Sequence, residues 1–295
     1  MGKNKRITNA VIPAAGFGTR MLPATKAVPK ELLPVATKPL IQYAVEEAAA
    51  SGIDTVIVVV RQSKSLIRTH FAPDRALESF LEQRGMSEFV SLARDLSRIA
   101  KLKFVQQRKP LGLGHAIFCA RPLLGDDPFV VILPDVIMVS REPVARQLIR
   151  ARNEVGGSVL AIREVRPRDV ERFGIVKVGR ASTSQGGRPV RITGSVEKPS
   201  IDHAPSRLGV FGRYLLEPSI WGAIRKTSPD ANGEVQLTNA INLLCEDQPV
   251  FGVCFEGRHY DAGDRIGYLK ANIELSLDNS RLAQPLRDYL SGVLN

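Results

Sequence analysis

The sequence predicts an α/β fold: a Rossmann-like, mixed and mostly parallel central sheet flanked by helices, with a smaller β-rich part and C-terminal helices. In the first half, short β-branched runs alternate with segments of helical spacing, an order that produces right-handed crossovers and parallel strands. After about residue 155, shorter strand candidates are separated by polar loops. We expect one domain over 1–295, with parts at about 8–155, 156–265 and 266–295.

The first half contains alternating strand and helix candidates. The apolar run at 7–13 precedes a glycine-rich loop. The continuous β-branched run at 55–60 is typical of a strand buried on both faces. Further strands are predicted at 103–106 and 129–133, and helices at 40–50, 76–100 with a break near Gly85, and 115–120.

The second half is predicted to contain shorter elements. Strand candidates lie at 158–162, 174–178, 190–196 and 248–255, and helix candidates lie at 217–224, 236–244 and from residue 267 onward. The segment 182–189 contains Ser, Gly and a final Pro, and it predicts an exposed hairpin-like connection.

Composition favours a globular protein that buries a core, since 44% of the residues are hydrophobic and 24% are charged. No segment reaches the roughly 20 apolar residues that cross a bilayer, and the N-terminus lacks the pattern of a signal peptide. We therefore expect no membrane association and a cytoplasmic location. The three cysteines form no CxxC pair, which argues against a disulfide framework.

The net charge of +11 has two explanations, nucleic-acid binding or a phosphate-rich small substrate. The basic residues are spread along the chain, and aromatic residues make up only 6%. This pattern favours a basic surface with one active site that binds an anionic substrate, and it predicts no nucleic-acid partner. A nucleic-acid binder stays as an alternative, and it would bind with a steep dependence on salt.

The loop between Ala14 and Lys30 is the strongest candidate for a phosphate site. Gly16 and Gly18 let the backbone approach an anion, and Arg20 can bind phosphate oxygens with two N–H groups. The loop is neither a dinucleotide GxGxxG motif nor a Walker A motif. Glycine spacing alone would fit a structural turn equally well, but the added cations favour an anion.

Polar residues also follow two other predicted strands. Gln107 follows the strand at 103–106, and Asp135 follows the strand at 129–133. Because ligands gather at the carboxyl ends of parallel strands, we expect both residues to lie near the glycine-rich loop. A carboxylate beside a buried strand needs a partner, so Asp135 is interpreted as a metal ligand, with a helix N-cap as the alternative.

Several ordered motifs indicate a family. They are AAGFGTRMLPATKAVPKELLPVATKPL from Ala14, PLGLGH from Pro110, LPDV from Leu133, FGIV from Phe173, VEKP from Val196, GRY from Gly212, GEVQLT from Gly233 and YDAGD from Tyr260. In their order, over a range from about residue 8 to residue 272, they resemble the bacterial UTP–glucose-1-phosphate uridylyltransferases of the sugar nucleotidyltransferase family. The resemblance implies an enzyme that converts UTP and glucose 1-phosphate into UDP-glucose and pyrophosphate.

The resemblance also implies roles for individual residues, and divides the chain into a nucleotide-binding half and a sugar-phosphate-binding half. Catalytic roles are implied for Arg20, Lys30 and Lys198. Nucleotide-binding roles are implied for Ala14, Ala15, Gly16, Gly18, Thr19, Glu31, Gln107 and Gly112. Sugar-binding roles are implied for Gly174, Glu197, Gly212 and Glu234. Asp135 and Asp261 are implied as Mg²⁺ ligands, with Asp264 as an alternative to Asp261, and the assembly is expected to be a homodimer or homotetramer.

Two further functions stay open at this point. A thymidylyl or other nucleotidyl transferase would use the same phosphate-binding residues, so the choice of base depends on a few polar contacts. A noncatalytic regulatory relative would bind a partner enzyme, but Arg20, Lys30, Asp135 and Lys198 are all present, which disfavours it.

Overall fold

The computed structural model describes residues 5–61, 66–179 and 188–294, so residues 182–187 of the predicted hairpin-like connection lie outside the described part. The strands are β1 (Asn9–Ala14), β2 (Pro34–Val35), β3 (Lys38–Pro39), β4 (Thr55–Val60), β5 (Lys101–Gln106), β6 (Phe129–Ile132), β7 (Val136–Val139), β8 (Ser158–Glu164), β9 (Gly174–Val178), β10 (Val190–Glu197), β11 (Leu208–Leu216), β12 (Val250–Cys254) and β13 (Arg258–Asp261). The helices are α1 (Leu40–Ala50), α2 (Leu66–His70), α3 (Arg75–Gln83), α4 (Ser87–Arg98), α5 (Gly112–Cys119), α6 (Arg121–Leu124), α7 (Val144–Val155), α8 (Ile220–Lys226), α9 (Leu237–Asp247), α10 (Arg265–Asp278) and α11 (Ala283–Leu294).

The first half of the chain forms the parallel part of the central sheet, in the order β5-β4-β1-β6. Strands β1 and β4 pair in parallel along their whole length, from Asn9 opposite Thr55 to Ala14 opposite Val60. β4 is almost wholly buried because both of its faces are covered. The loops that follow β1, β5 and β6 therefore leave from the same edge of the sheet, which is where the sequence places its polar residues.

The second half continues the same sheet in the order β11-β8-β12-β10-β9. β11 joins the two halves, because it pairs antiparallel with both β6 and β8. The predicted mixed α/β sheet is confirmed. Its parallel pairings lie mainly in the first half, and antiparallel pairings predominate in the second, where β8 and β12 form the parallel exception. β11 was not predicted, because Gly209, Gly212 and Arg213 interrupt its apolar pattern.

Helices cover both faces of the sheet. On one face, α1 and α7 pack on a core that includes Ile41, Val58 and Leu148. On the other face, α5, α8 and α9 pack on a second core, in which Trp221 stacks on Phe129 with ring centroids 4.9 Å apart.

The helix boundaries differ in part from the sequence prediction. The predicted break near Gly85 is confirmed, because Gly85 takes a φ of 68° between α3 and α4. α7 was missed, and α5 begins at Gly112 rather than at His115. No helix of the described residues is long and apolar enough to cross a membrane. All three cysteines are free thiols; Cys245 is buried, and Cys119 and Cys254 are half-buried.

A small antiparallel ladder stands apart from the main sheet and matters most for the site. Its strands are β7, which starts directly after Asp135, and β13, which ends at Asp261. Asp261 is the register partner of Val136, and the Ala262 N–H donates to the Asp135 carbonyl at 2.8 Å. This pairing brings together two acidic residues that are more than a hundred positions apart in the chain.

Candidate active site

A two-part cleft opens at the carboxyl edge of the parallel strands. One cavity, called base-side after the ligand that the resemblance implies for it, has a volume of about 470 Å³ and is lined by Ala15, Gly16, Thr19, Lys30, Glu31, Gln107, Gly112, Asp135 and Glu234, among others. The other, called sugar-side for the same reason, has a volume of about 530 Å³ and is lined by Arg20, Asp135, Gly174, Glu197, Lys198, Gly212 and Asp261, among others. Both volumes suit small-molecule ligands. Asp135 lines both cavities, so they form one continuous cleft around this carboxylate.

The glycine-rich loop is folded onto the residues that follow it. Gly18 takes a φ of 64°, and a Cβ at this position would lie 3.1 Å from the Cβ of Lys30. The Thr25 hydroxyl donates to the Gly18 carbonyl at 2.8 Å, which closes the loop. A glycine at this position therefore lets the loop pack closely against the side chains of Lys30 and Thr25. Arg20 is exposed at the mouth of the cleft.

Lys30 and Asp135 form an ion pair in the centre of the cleft, with 2.6 Å between Nζ and Oδ2. Burial alone would lower the pKa of Lys30, but the Asp135 carboxylate outweighs it and the pKa lies above its ordinary value. Burial alone would raise the pKa of Asp135, but the Lys30 ammonium outweighs it and the pKa lies below its ordinary value. Both groups are therefore charged at neutral pH and available to phosphate or to a cation.

Asp261 lies beside Asp135. A Cβ on Gly263 would lie 3.0 Å from Asp261 Oδ1 and 3.2 Å from Asp135 Oδ2, so both carboxylates border the same small space. Asp264 also lines the sugar-side cavity, and its Oδ1 accepts the Gly267 N–H at 2.8 Å and caps α10. Arg172, which the sequence did not indicate, donates to Asp261 at 3.0 Å and to Asp264 at 2.6 Å.

The two neighbouring carboxylates fit a magnesium site that substrate completes. Within the described residues, no group of three or more His, Cys, Asp or Glu side chains could hold a metal ion. Mg²⁺ commonly takes one or two carboxylates and fills its other positions with water and phosphate oxygens. Asp135 and Asp261 would therefore hold Mg²⁺ only together with a phosphate group in the cleft.

Gln107 lies at the back of the base-side cavity and is only 5% exposed. Its Nε2 lies 3.1 Å from the Gly112 carbonyl and 2.9 Å from Nδ1 of His115. Gly112 takes a φ of 85°, and a Cβ there would lie 2.9 Å from the Cβ of Glu234. Glu234, which the resemblance implies as a sugar contact, therefore lies against the base-side cavity, because its segment packs on Gly112.

Glu31 is the most isolated polar group of the cleft. It is 1% exposed, and its Oε2 has no hydrogen-bond partner among the described residues. Burial raises the pKa of Glu31 to about 7, although the neighbouring Lys30 ammonium acts in the opposite direction. The side chain also lines the base-side cavity.

The sugar-side cavity is built around Glu197. Its Oε2 accepts a hydrogen bond from the Thr238 hydroxyl at 2.5 Å, and Lys198 Nζ lies 3.4 Å from its Oε1. Lys198 takes a φ of 44°, a strained conformation that its N–H stabilises by donating to the Phe173 carbonyl at 3.1 Å. A Cβ on Gly174 would lie 3.3 Å from Glu197 Oε2, so a larger residue would crowd the carboxylate.

The sequence analysis did not predict Thr238 as a residue that contacts Glu197. Thr238 lies in the GEVQLT motif, and the match of this motif to the family could have indicated it. Ala14 was implied as a nucleotide contact, but it lines a neighbouring cavity with Phe17 and Val60 and is not brought into the base-side cavity. The remaining predicted residues meet in the cleft or, like Gly18, support its wall.

Arg213 supports the loop that carries Asp135. It is 1% exposed, and Nη1 donates to the Leu133 carbonyl at 2.9 Å while Nη2 donates to the Val136 carbonyl at 2.8 Å. The guanidinium also pairs with Glu47 of α1, at 2.8 Å from Oε2. The two carbonyls lie on either side of Asp135, so the arginine fixes the backbone of this loop.

Comparison with known proteins shows similarity over nearly the whole chain. Residues 9–276 match the family model described as nucleotidyl transferase. The chain is 41% identical to the UTP–glucose-1-phosphate uridylyltransferase YngB of Bacillus subtilis, over 98% of this chain and 96% of that protein. It is similar to the structure of a UDP-glucose pyrophosphorylase from Acinetobacter baumannii, with a TM-score of 0.89, 34% identity and coverage of 98% and 100% of the two chains. A UDP-glucose pyrophosphorylase complexed with UDP-glucose gives a TM-score of 0.84 at 33% identity, with coverage of 93% and 100%.

Proposed function

Because the chain belongs to the nucleotidyl transferase family, we propose that it transfers the uridylyl group of UTP to glucose 1-phosphate, which gives UDP-glucose and pyrophosphate. The observation that carries this proposal is the continuous two-part cleft, in which Asp135 lines the wall of both cavities. Two substrates held in these cavities would meet at this carboxylate. The names of relatives that are similar over nearly the whole chain support the choice of uridylyl transfer.

The chemistry of this reaction suits a cleft that is rich in cations. The phosphate of glucose 1-phosphate is already anionic at neutral pH, so it attacks the α-phosphorus without a general base. The protein has to bring two anions together, hold the attack in line and neutralise the leaving pyrophosphate. Arg20 and Lys30 would hold the triphosphate and the departing pyrophosphate, because both cations line the cleft beside Asp135.

The two cavities would hold the two substrates separately. Gln107 and the backbone at Gly112 would contact the uracil, since both line the base-side cavity. In the sugar-side cavity, Glu197 would accept hydrogen bonds from sugar hydroxyls, and Lys198 would pair with the sugar phosphate. Gly174 would leave space for the sugar ring, because no Cβ fills the position beside Glu197.

We propose Mg²⁺ as the cofactor, held by Asp135 and Asp261. This proposal is supported by the two carboxylates that border the same space and by their position at the junction of the cavities. When bound, the ion would neutralise charge on the phosphate oxygens. The ion pair between Lys30 and Asp135 would have to rearrange when phosphate and metal enter, since Lys30 contacts Asp135, the proposed metal ligand.

Nucleotide preference tests the function directly. Steady-state rates of pyrophosphate release should be far higher with UTP than with dTTP when glucose 1-phosphate is the acceptor. A large preference for dTTP would reject uridylyl transfer in favour of a thymidylyltransferase. No pyrophosphate release from saturating Mg²⁺, UTP and glucose 1-phosphate would favour a noncatalytic relative instead.

We also propose that the enzyme is a cytoplasmic homodimer or homotetramer. Self-association is supported by exposed apolar side chains on α10, namely Ile266, Leu269 and Ile273. Light scattering after size-exclusion chromatography should give a mass of two or four chains. A monomer at micromolar concentration would contradict this part of the proposal.

A further inference from the structure

The amide of Gln107 is held in one orientation by two contacts with the same atom. Its Nε2 lies 3.1 Å from the carbonyl oxygen of Gly112 and 2.9 Å from Nδ1 of His115. A carbonyl oxygen only accepts hydrogen bonds, so the Gln107 atom that faces it must be the NH₂ group. The Gln107 backbone is also fixed, because its N–H donates to the Val60 carbonyl at 2.9 Å.

The second contact defines the state of His115. An amide NH₂ group has two hydrogens, and one of them is directed at Gly112. The other is directed at His115, so Nδ1 must accept and the imidazole must be neutral with its proton on Nε2. Burial lowers the pKa of His115, which agrees with a neutral ring. Both donors of Gln107 are thereby used inside the protein, and only Oε1 can contact a ligand.

The free acceptor distinguishes the two common pyrimidines. Uracil presents an N3–H donor on the edge that Gln107 Oε1 would contact, whereas cytosine presents an unprotonated N3 with a lone pair. We propose that His115 is a positioning residue that makes the site select uridine over cytidine nucleotides, by holding the carbonyl oxygen of Gln107 toward the base. This inference rests on the proposed function, because it assumes that the base-side cavity binds the nucleotide.

The contribution of His115 can be separated from that of Gly112. With both acceptors present, rotating the Gln107 amide by 180° would break two hydrogen bonds and direct its oxygen at the Gly112 carbonyl. Without the acceptor on His115, the rotation would break only one. A net hydrogen bond changes an equilibrium by about fivefold, so the ratio of UTP to CTP affinity should fall by about fivefold.

The test uses two substitutions that differ in where they place an acceptor. In His115→Asn the amide oxygen can occupy the position of Nδ1, whereas in His115→Gln it reaches the position of Nε2. Cys119→Ala is the matched control on the same helix. Cys119 Sγ lies 3.9 Å from Nδ1 of His115, but the contacts described for the Gln107 amide do not include Cys119. Isothermal titration calorimetry of UTP and CTP binding gives the affinity ratio, and steady-state kinetics give kcat and KM.

We expect His115→Gln to lower the UTP-to-CTP affinity ratio about fivefold, with little change in the KM for glucose 1-phosphate. His115→Asn and Cys119→Ala should keep the wild-type ratio. An unchanged ratio in His115→Gln, or an equal loss in the Asn variant, would overturn the proposal. A wild-type chain that binds UTP over CTP but releases no pyrophosphate would contradict only the proposed function.

A measurement on the wild-type chain keeps the proposal testable if a variant does not fold. In ¹⁵N-histidine-labelled protein, the chemical shifts of the His115 ring nitrogens report which of them carries the proton. The proposal requires an unprotonated Nδ1 at pH 7.5. A proton on Nδ1 would refute it, because this nitrogen could then not accept from Gln107.

Discussion

Replacing Glu31 with Gln should stabilise the protein at alkaline pH and change little in acid. Glu31 is 1% exposed, and burial raises the pKa of its carboxyl to about 7, compared with 4.5 in the unfolded chain. Well below pH 4.5 the carboxyl is protonated in both the folded and the unfolded state, so it does not lower the free energy of unfolding. Between pH 4.5 and 7 the unfolded state loses its proton first, and stability therefore falls as the pH rises.

The size of the effect follows from the two pKa values. One pKa unit corresponds to about 1.4 kcal/mol, so the fully developed cost at pH 8 is roughly 3 kcal/mol. Glu31→Gln removes the titration and should flatten this part of the stability profile. Urea denaturation from pH 4.5 to 8 measures the free energy of unfolding, and the exposed Glu154→Gln on α7 serves as a control for the removal of a surface charge. Parallel profiles for Glu31→Gln and wild type would refute the reasoning.

Three further substitutions test the site. Asp135→Ala should fold but lose most of its activity at every Mg²⁺ concentration in a pyrophosphate-release assay, and near-normal turnover would contradict the metal role. Lys198→Ala should raise the KM for glucose 1-phosphate more than the KM for UTP, and the reverse pattern would contradict its placement beside the sugar. Arg213→Met should lower the free energy of unfolding by about 3–5 kcal/mol, because it leaves the buried Glu47 carboxylate without its partner. A loss below about 1 kcal/mol in urea denaturation would argue against that pairing.

Local patterns were sufficient to predict the parallel strands of the first half. The β-branched run of β4 and the helical spacing of α1 are signals within single elements, and both elements formed nearly where predicted. β11 lacked such a signal, because its buried Arg213 is stabilised by Glu47 and by the backbone carbonyls of Leu133 and Val136. A residue of this kind is favourable only after the chain has folded, so hydropathy alone cannot indicate it.

The candidate site, like the fold, could be predicted from local patterns only in part. The glycine-rich loop, Gln107 and Asp135 follow strands whose order could be predicted, so their meeting was expected. The resemblance brought Asp261 and Asp264 to attention but did not decide between them. In the structure, Asp264 caps α10, whereas Asp261 ends the strand that pairs beside Asp135, and this position is why we propose Asp261. This pairing joins distant parts of the chain, so no local pattern could have predicted it.

The fate of the α-phosphate tests the central claim most directly. We propose that the purified protein, incubated with α-³²P-labelled UTP, glucose 1-phosphate and Mg²⁺, converts the label into UDP-glucose and releases one pyrophosphate per sugar nucleotide. Chromatographic separation of the labelled products, together with a pyrophosphate assay, measures both yields. Labelled UDP-glucose and pyrophosphate in equal amounts are the predicted result. Label that stays in UTP, or pyrophosphate released without labelled sugar nucleotide, would contradict uridylyl transfer in this cleft.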